Sequence, residues 1–217
     1  MLQNVRIWFR KTGTAKYISH LDLTRCMARA LKLSGLPVWY TQGFNPRIYM
    51  TFAMPLSLGF SGEQECMDIR LIQEADFEQA VVKLNSCLPE DIRILKIAIP
   101  LHKFDAISLA AYQLKLEWEE PQILEAAFDR LLKRDSVIVL KHGKKGDKSF
   151  DIKPFFISTI KASVPGALLI DVTLPCSTEG SVNPALLLEA LKQYEGFEPY
   201  STITRKSLMT KDFSDIQ

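Results

Sequence analysis

VRIWFRKTGTAKYISHLDLTRCMARALKLSGLP, residues 5–37, is the stretch that decides how this chain folds. It opens with Val5, Ile7 and Phe9 alternating with Arg6, Trp8 and Arg10. Strand side chains point to opposite faces in turn, so this predicts a half-buried strand with the three apolar residues inward. Gly13 permits a tight turn. Ser19 then stands three residues before Asp22, the spacing of a capping box. Leu23, Met27, Ala30 and Leu31 form one apolar stripe, and Gly35-Leu36-Pro37 ends the helix.

Working outward, short β segments are expected near Val38–Thr41 and Glu65–Ile72, a helix from Asp76 to Cys87, and a strand from Ile92 to Ile99. The order reads β-α-β-β-α-β. After Pro100 it recurs. Tyr112, Leu114, Leu116 and Trp118 alternate as a strand, and Pro121 suits the first turn of a helix carrying Leu124, Phe128, Leu131 and Leu132. Ser136–Lys141 and Ile152–Ala162 read as a hairpin with its tip at 142–148, and Ala167–Leu174 as either a further strand or a continuation of that sheet. Asn183-Pro184 opens a last helix through Tyr194, and Thr202–Met209 closes the series. The fold class is α+β. Two tandem ferredoxin-like (split β-α-β) units with antiparallel sheets are expected, at 1–103 and 108–217.

The 217 residues are 47% hydrophobic and 24% charged, which excludes disordered and fibrous classes. MLQNVRIWFRK carries charges where a signal peptide needs an apolar run, so a cytoplasmic location is expected. Ile48 to Gly62 lacks charge, but Pro55 and Gly59 break a stretch already too short for a bilayer, so no membrane association is expected. Cys26, Cys66, Cys87 and Cys176 show no C-x-x-C spacing, and His20, His102 and His142 lie far apart. Neither set points to a metal, and the thiols read as small core hydrophobes. No nucleotide-binding or metalloprotease motif is present, so no cofactor of the chain's own is expected.

Charge is uneven. Residues 1–50 hold eight basic residues against the single acid Asp22, a balance of +7, and the rest of the chain carries −5. Such asymmetry points to a surface for an anion, often a nucleic acid. Arg6, Trp8 and Arg10 fall on the sheet face away from the helices. There an aromatic between two guanidiniums could stack on an unpaired base, or a second unit could cover the face. Lys16 precedes the helix, whose N–H groups favour an anion, and Arg25, Arg29 and Lys32 form a basic stripe. His20 is the one weak catalytic candidate, with no identified partner. WYTQGFNPRIYMTFAMPLSLG, residues 39–59, makes a long aromatic connection in which Phe44, Asn45 and Arg47 could clamp a nucleotide or a partner peptide. The basic tip at 141–148 reads as merely solvated.

TGTAKYISHLDLTR (12–25), GFNPRIYMTFAMPLSLG (43–59) and the strand DIRL (68–71) together resemble the bacterial radical-SAM-linked protein family, a domain of unknown function numbered 2344. The likeness is strongest over residues 4–72. It implies association with a radical SAM protein, which would carry the iron–sulfur cluster, S-adenosylmethionine and, in some cases, cobalamin. This chain lacks the C-x-x-x-C-x-x-C motif of such enzymes. An accessory subunit that presents transfer or ribosomal RNA is the expected role. A docking module without RNA contact and a metal-independent ribonuclease using His20 are the alternatives. Oligomeric state is not legible.

Overall fold

A computed structural model describes residues 2–141, 146, 148–156, 159–177 and 180–217. The contact pattern divides the chain into two units, Met1–Ile107 with Ser207–Gln217, and Ser108–Lys206. The segment Ser207–Gln217 thus belongs with the first unit, whereas the sequence reading kept 108–217 together.

The first unit contains β1 (Gln3–Lys11), α1 (His20–Leu33), β2 (Met50–Phe52), β3 (Ser61–Leu71), α2 (Phe77–Cys87) and β4 (Ile92–Ala98). Its strands lie in the order β4-β1-β3, with β2 on β3, and every pairing is antiparallel. Ile7 faces Met67 on β3 and Ile97 on β4. Val5, Ile7 and Phe9 enter a core with Leu23, Met27 and Leu31 of α1, Ala80 and Leu84 of α2, and Met67 and Ile69. The inward alternation expected of β1 is therefore realised. Burying one such aliphatic or aromatic side chain stabilises by about 1.5–3 kcal/mol.

Two local expectations differ from the structure. Val38 and Tyr40 make only single bridges, to Leu71 and Ile48, and the regular second strand is Met50–Phe52. Pro37 and the Gly43–Pro46 turn leave the earlier segment too little uninterrupted backbone for a ladder. Asp76, expected as the first residue of α2, is its N-cap and accepts the Gln79 N–H at 3.1 Å.

The second unit contains β5 (Ile107–Glu117) from Ser108 on, α3 (Pro121–Lys133), β6 (Ile138–Lys141), β7 (Lys148–Asp151), α4 (Lys153–Phe156), β8 (Ile160–Val164), β9 (Ala167–Pro175), α5 (Leu186–Ala190) and β10 (Tyr200–Thr210) as far as Lys206. Here β10, β5, β9 and β8 are successive neighbours. Leu114 faces Ile170, and Leu124, Ala127, Phe128 and Leu131 of α3 are fully buried. The expected hairpin partner was wrong. Ile138–Lys141 pairs with Lys148–Asp151, whereas Ile160–Val164 pairs with Ala167–Pro175. Pro154 accounts for the break between them, since it fits a helical first turn (α4) and cannot donate to a ladder. The basic tip expected at 142–148 lies largely outside the described residues. The last helix is shorter than expected, passing into a single π turn at Leu191–Glu195. Among the described residues, no helix is long and apolar enough to cross a membrane.

Candidate binding face of the first unit

Between β1 and α1 the chain makes a 3-10 turn, Gly13–Tyr17. One carboxylate organises it. Asp91 accepts the Thr14 hydroxyl at 2.6 Å, the Thr14 N–H at 2.7 Å and the Ala15 N–H at 3.3 Å. These bonds hold the Asp91 carboxyl below its ordinary range, the Thr14 hydroxyl contributing most. Gly13 sits at φ +52°, and a Cβ there would lie 2.2 Å from Asp91 Oδ1. An external anion was expected at this loop and at the start of α1, near Lys16 and His20. Asp91 takes the N–H groups of Thr14 and Ala15, so the loop itself does not offer those two to such an anion.

A second group supports the loop from beneath. Lys11, only 2% exposed, directs Nζ at the carbonyl oxygens of Lys16 and Ile18, each at 3.4 Å. The Lys16 carbonyl also accepts the Gly59 N–H at 2.9 Å. The His20 ring lies 4.9 Å from Phe52, edge to face, and Phe52 meets Phe9 at 6.0 Å. The stretch 12–20 and the second half of the stretch 39–59 are thereby brought together. Asp22 accepts bonds from the Ser19 hydroxyl at 2.7 Å and from Arg25 at 3.2 Å, while His20 turns to Phe52. Among the described residues, Asp22 pairs with Ser19 and Arg25 and not with His20.

Ser19 caps α1, accepting the Asp22 N–H at 3.1 Å. The reciprocal contact differs from the expected box, because Asp22 takes the Ser19 hydroxyl rather than a backbone N–H. That bond, with Arg25 adding to it, holds the Asp22 carboxyl low. Ser19→Ala is expected to destabilise the fold by about 1 kcal/mol. A urea midpoint equal to wild type would remove Ser19 from the cap.

The sheet face was left open between an exposed and a covered state, and it is covered at Arg6 and Trp8. Arg6 is 0% and Trp8 5% exposed. The Arg6 guanidinium grips Asp68 through Nε at 2.7 Å and Nη2 at 2.9 Å, and donates to the His102 carbonyl at 2.8 Å and the Gln217 backbone oxygen at 3.0 Å. Phe104 stacks 4.2 Å from it, and Lys96 Nζ lies 4.2 Å from the Trp8 ring. Trp8 is therefore unavailable for base stacking, and Arg6 and Lys11 leave the count of surface charges.

What remains exposed is a face of α1. Leu23, Met27, Ala30 and Leu31 are buried, while His20, Arg25, Arg29 and Lys32 are exposed, the Arg25 side chain at 70%. Lys16 is half-buried with Nζ 5.0 Å from the exposed Tyr17 ring, and Arg10 is exposed at the end of β1. Phe44, Asn45 and Arg47 are also exposed, but on a separate loop. The Asp22–Arg25 pair is open to solvent and too weak to neutralise this face.

Asp91, Asp68, Phe104 and Gln217 carry no local signal that would have found them. Each acts on a partner far off in sequence, and only the antiparallel register of β1 with β3 places Asp68 opposite Arg6. Cys66 and Cys176 are buried and Cys26 and Cys87 half-buried, with burial raising the Cys26 thiol. Among the described residues no group of three metal-ligating side chains converges.

The fold and face define an α+β protein with antiparallel strands and a basic helix displayed on its first unit. The chain belongs to the family described as "Uncharacterized protein conserved in bacteria (DUF2344)", whose model matches residues 4–184. No curated protein matches it. Among solved structures it is similar to an unknown protein from Galdieria sulphuraria, at 16% identity over 94% of this chain and 99% of that one, TM-score 0.28. It is also similar to a putative glycine cleavage system transcriptional repressor, at 10% identity over 97% and 99%, TM-score 0.24. At those scores neither likeness bears on fold or function.

Proposed function

We propose that the chain is a non-catalytic RNA-binding subunit that presents a structured RNA, transfer or ribosomal, to a radical SAM enzyme. The observation that carries this is the exposed stripe Arg25, Arg29 and Lys32 on α1, led by the Lys16–Tyr17 pair. Cations spaced along a helix can track phosphates, and an exposed aromatic beside them can stack on a base. The resemblance to the radical-SAM-linked family supports the partner, which would supply the iron–sulfur cluster and S-adenosylmethionine. The order β4-β1-β3 with β2 on β3 supports a ferredoxin-like reading of the first unit. The order β10-β5-β9-β8, with the β6–β7 hairpin as an insertion, supports the same for the second.

If Lys16, Arg25, Arg29 and Lys32 each neutralise a phosphate, affinity for a transfer RNA transcript should fall with log salt at a slope of about −3 to −4. Arg25→Glu with Arg29→Glu is expected to weaken binding across RNA sequences and flatten the slope by about two. Lys103→Glu with Lys211→Glu, equally exposed and equal in charge change, serves as control. Equal losses in both pairs reduce the effect to net charge. No loss in either defeats the reading.

A further inference from the structure

We infer that the loop 41–47 is a protein-docking knob, its Phe44 ring inserting into an apolar pocket of a partner protein while Arg47 meets a carboxylate at the rim. This rests on the reading that the chain works with a protein partner, and it assigns the contact to a surface separate from the basic helix.

The loop stands on a rigid stem. The Thr41 N–H donates to the Arg47 carbonyl at 2.7 Å, and the Arg47 N–H to the Thr41 hydroxyl at 3.1 Å. Below them Tyr40 bridges Ile48, the Tyr49 N–H donates to the Trp39 carbonyl at 3.1 Å, and the Trp39 N–H donates to the Arg70 carbonyl at 2.8 Å. The Arg70 guanidinium lies 4.3 Å from the Tyr49 ring and 5.3 Å from Trp39, and Asn4 accepts its Nε–H at 3.1 Å. A stem tied to β3 in this way loses little further conformational entropy on binding.

On that stem residues 42–46 are all exposed and none is charged. Phe44 is 106% exposed, a whole phenyl ring held in water. A single exposed apolar residue is ordinary on a mobile surface. A fully exposed ring at the end of a stem held in this way is the form taken by an aromatic anchor that fills a partner's pocket. The charge pattern favours protein over RNA. Stacking on a base needs cations for the flanking phosphates, and Arg47 at the stem is the loop's one cation. One guanidinium beside a neutral apolar tip matches a pocket with a single acidic group at its edge.

The test places photoreactive benzoylphenylalanine at position 44 of the full chain, with the same residue at Val82, an exposed α2 position, as control. Irradiation in lysate of the native host is expected to crosslink position 44, and not position 82, to one protein. That protein is then purified. Phe44→Ala should weaken its binding to the chain at least tenfold, Phe44→Leu should retain part of the affinity, and Arg47→Glu should weaken it further than Arg47→Gln. Arg25→Glu with Arg29→Glu should leave it unchanged. A crosslink to RNA, to a second copy of the chain, or to nothing overturns the assignment. So does wild-type affinity in Phe44→Ala, whose melting temperature should not move. If the crosslink and the tenfold loss hold while the Arg25 and Arg29 reversal leaves RNA affinity intact, the RNA reading fails and the knob stands. The converse removes the knob alone.

Discussion

Arg6→Ala is expected to destabilise the fold by about 3–5 kcal/mol, the range seen when one partner of a buried ion pair is removed. The guanidinium is wholly buried and makes four hydrogen bonds in the first unit: two to Asp68, one to the His102 carbonyl and one to the Gln217 backbone oxygen. Truncation leaves the Asp68 carboxylate, whose side chain is only 22% exposed, without its partner. It also releases the C-terminal segment from one of its ties. The Gln217 oxygen keeps only the N–H groups of Leu101 and His102, at 3.0 and 2.8 Å. Arg6→Lys keeps the charge but cannot reproduce a two-pronged grip with two further donors, so it should recover only part of the loss. Urea unfolding decides the matter. A midpoint shift equivalent to less than about 1 kcal/mol for Arg6→Ala, with m unchanged, would show the network to be incidental.

The same residue marks where sequence reading succeeds and where it stops. Period-2 alternation placed Arg6 and Trp8 on the face away from α1 and α2, and that geometry holds. Whether the face is wet depends on residues that alternation cannot see. Asp68 lies 62 positions away, and His102 and Phe104 are brought in only by the irregular chain after β4. Helices α1, α2 and α3 were legible because capping residues, apolar stripes and prolines act within a few residues. The region 136–175 was not, since Ile138–Lys141 could pair with either of two later β segments. Periodicity does not choose between partners. The candidate site divides in the same way. Arg25, Arg29 and Lys32 follow from helical spacing alone, whereas the Asp91 carboxylate that takes the Thr14 and Ala15 N–H groups of the preceding loop is connected to them by no local pattern. The rigid support beneath Phe44 was hidden for a related reason, as Arg70 reaches Trp39 and Tyr49 from another strand.

Gly13→Ala is expected to cost about 2 kcal/mol through backbone strain, and to dismantle the turn that presents Lys16. At φ +52° an L side chain crowds its own backbone, a strain of roughly 1–3 kcal/mol. The added Cβ would also fall 2.2 Å from Asp91 Oδ1 and 2.5 Å from its Cγ, so the carboxylate must swing away and release Thr14 and Ala15. The two causes separate in a double-mutant cycle. Asp91→Ala alone forfeits the bonds to the loop without strain. In that background Gly13→Ala should cost less than in wild type, because nothing remains for the methyl group to displace. Acid provides a second readout. The native Asp91 carboxyl is held low, so its contribution is present above the unfolded-state value and is lost as pH falls through the lower native one. Gly13→Ala has already lost that contribution, so the stability gap between it and wild type should narrow as the pH drops below about 4. Additive costs in the cycle, together with a gap that does not change with pH, would mean that Gly13 is needed for its backbone angle alone and that the added methyl does not displace Asp91 from the loop.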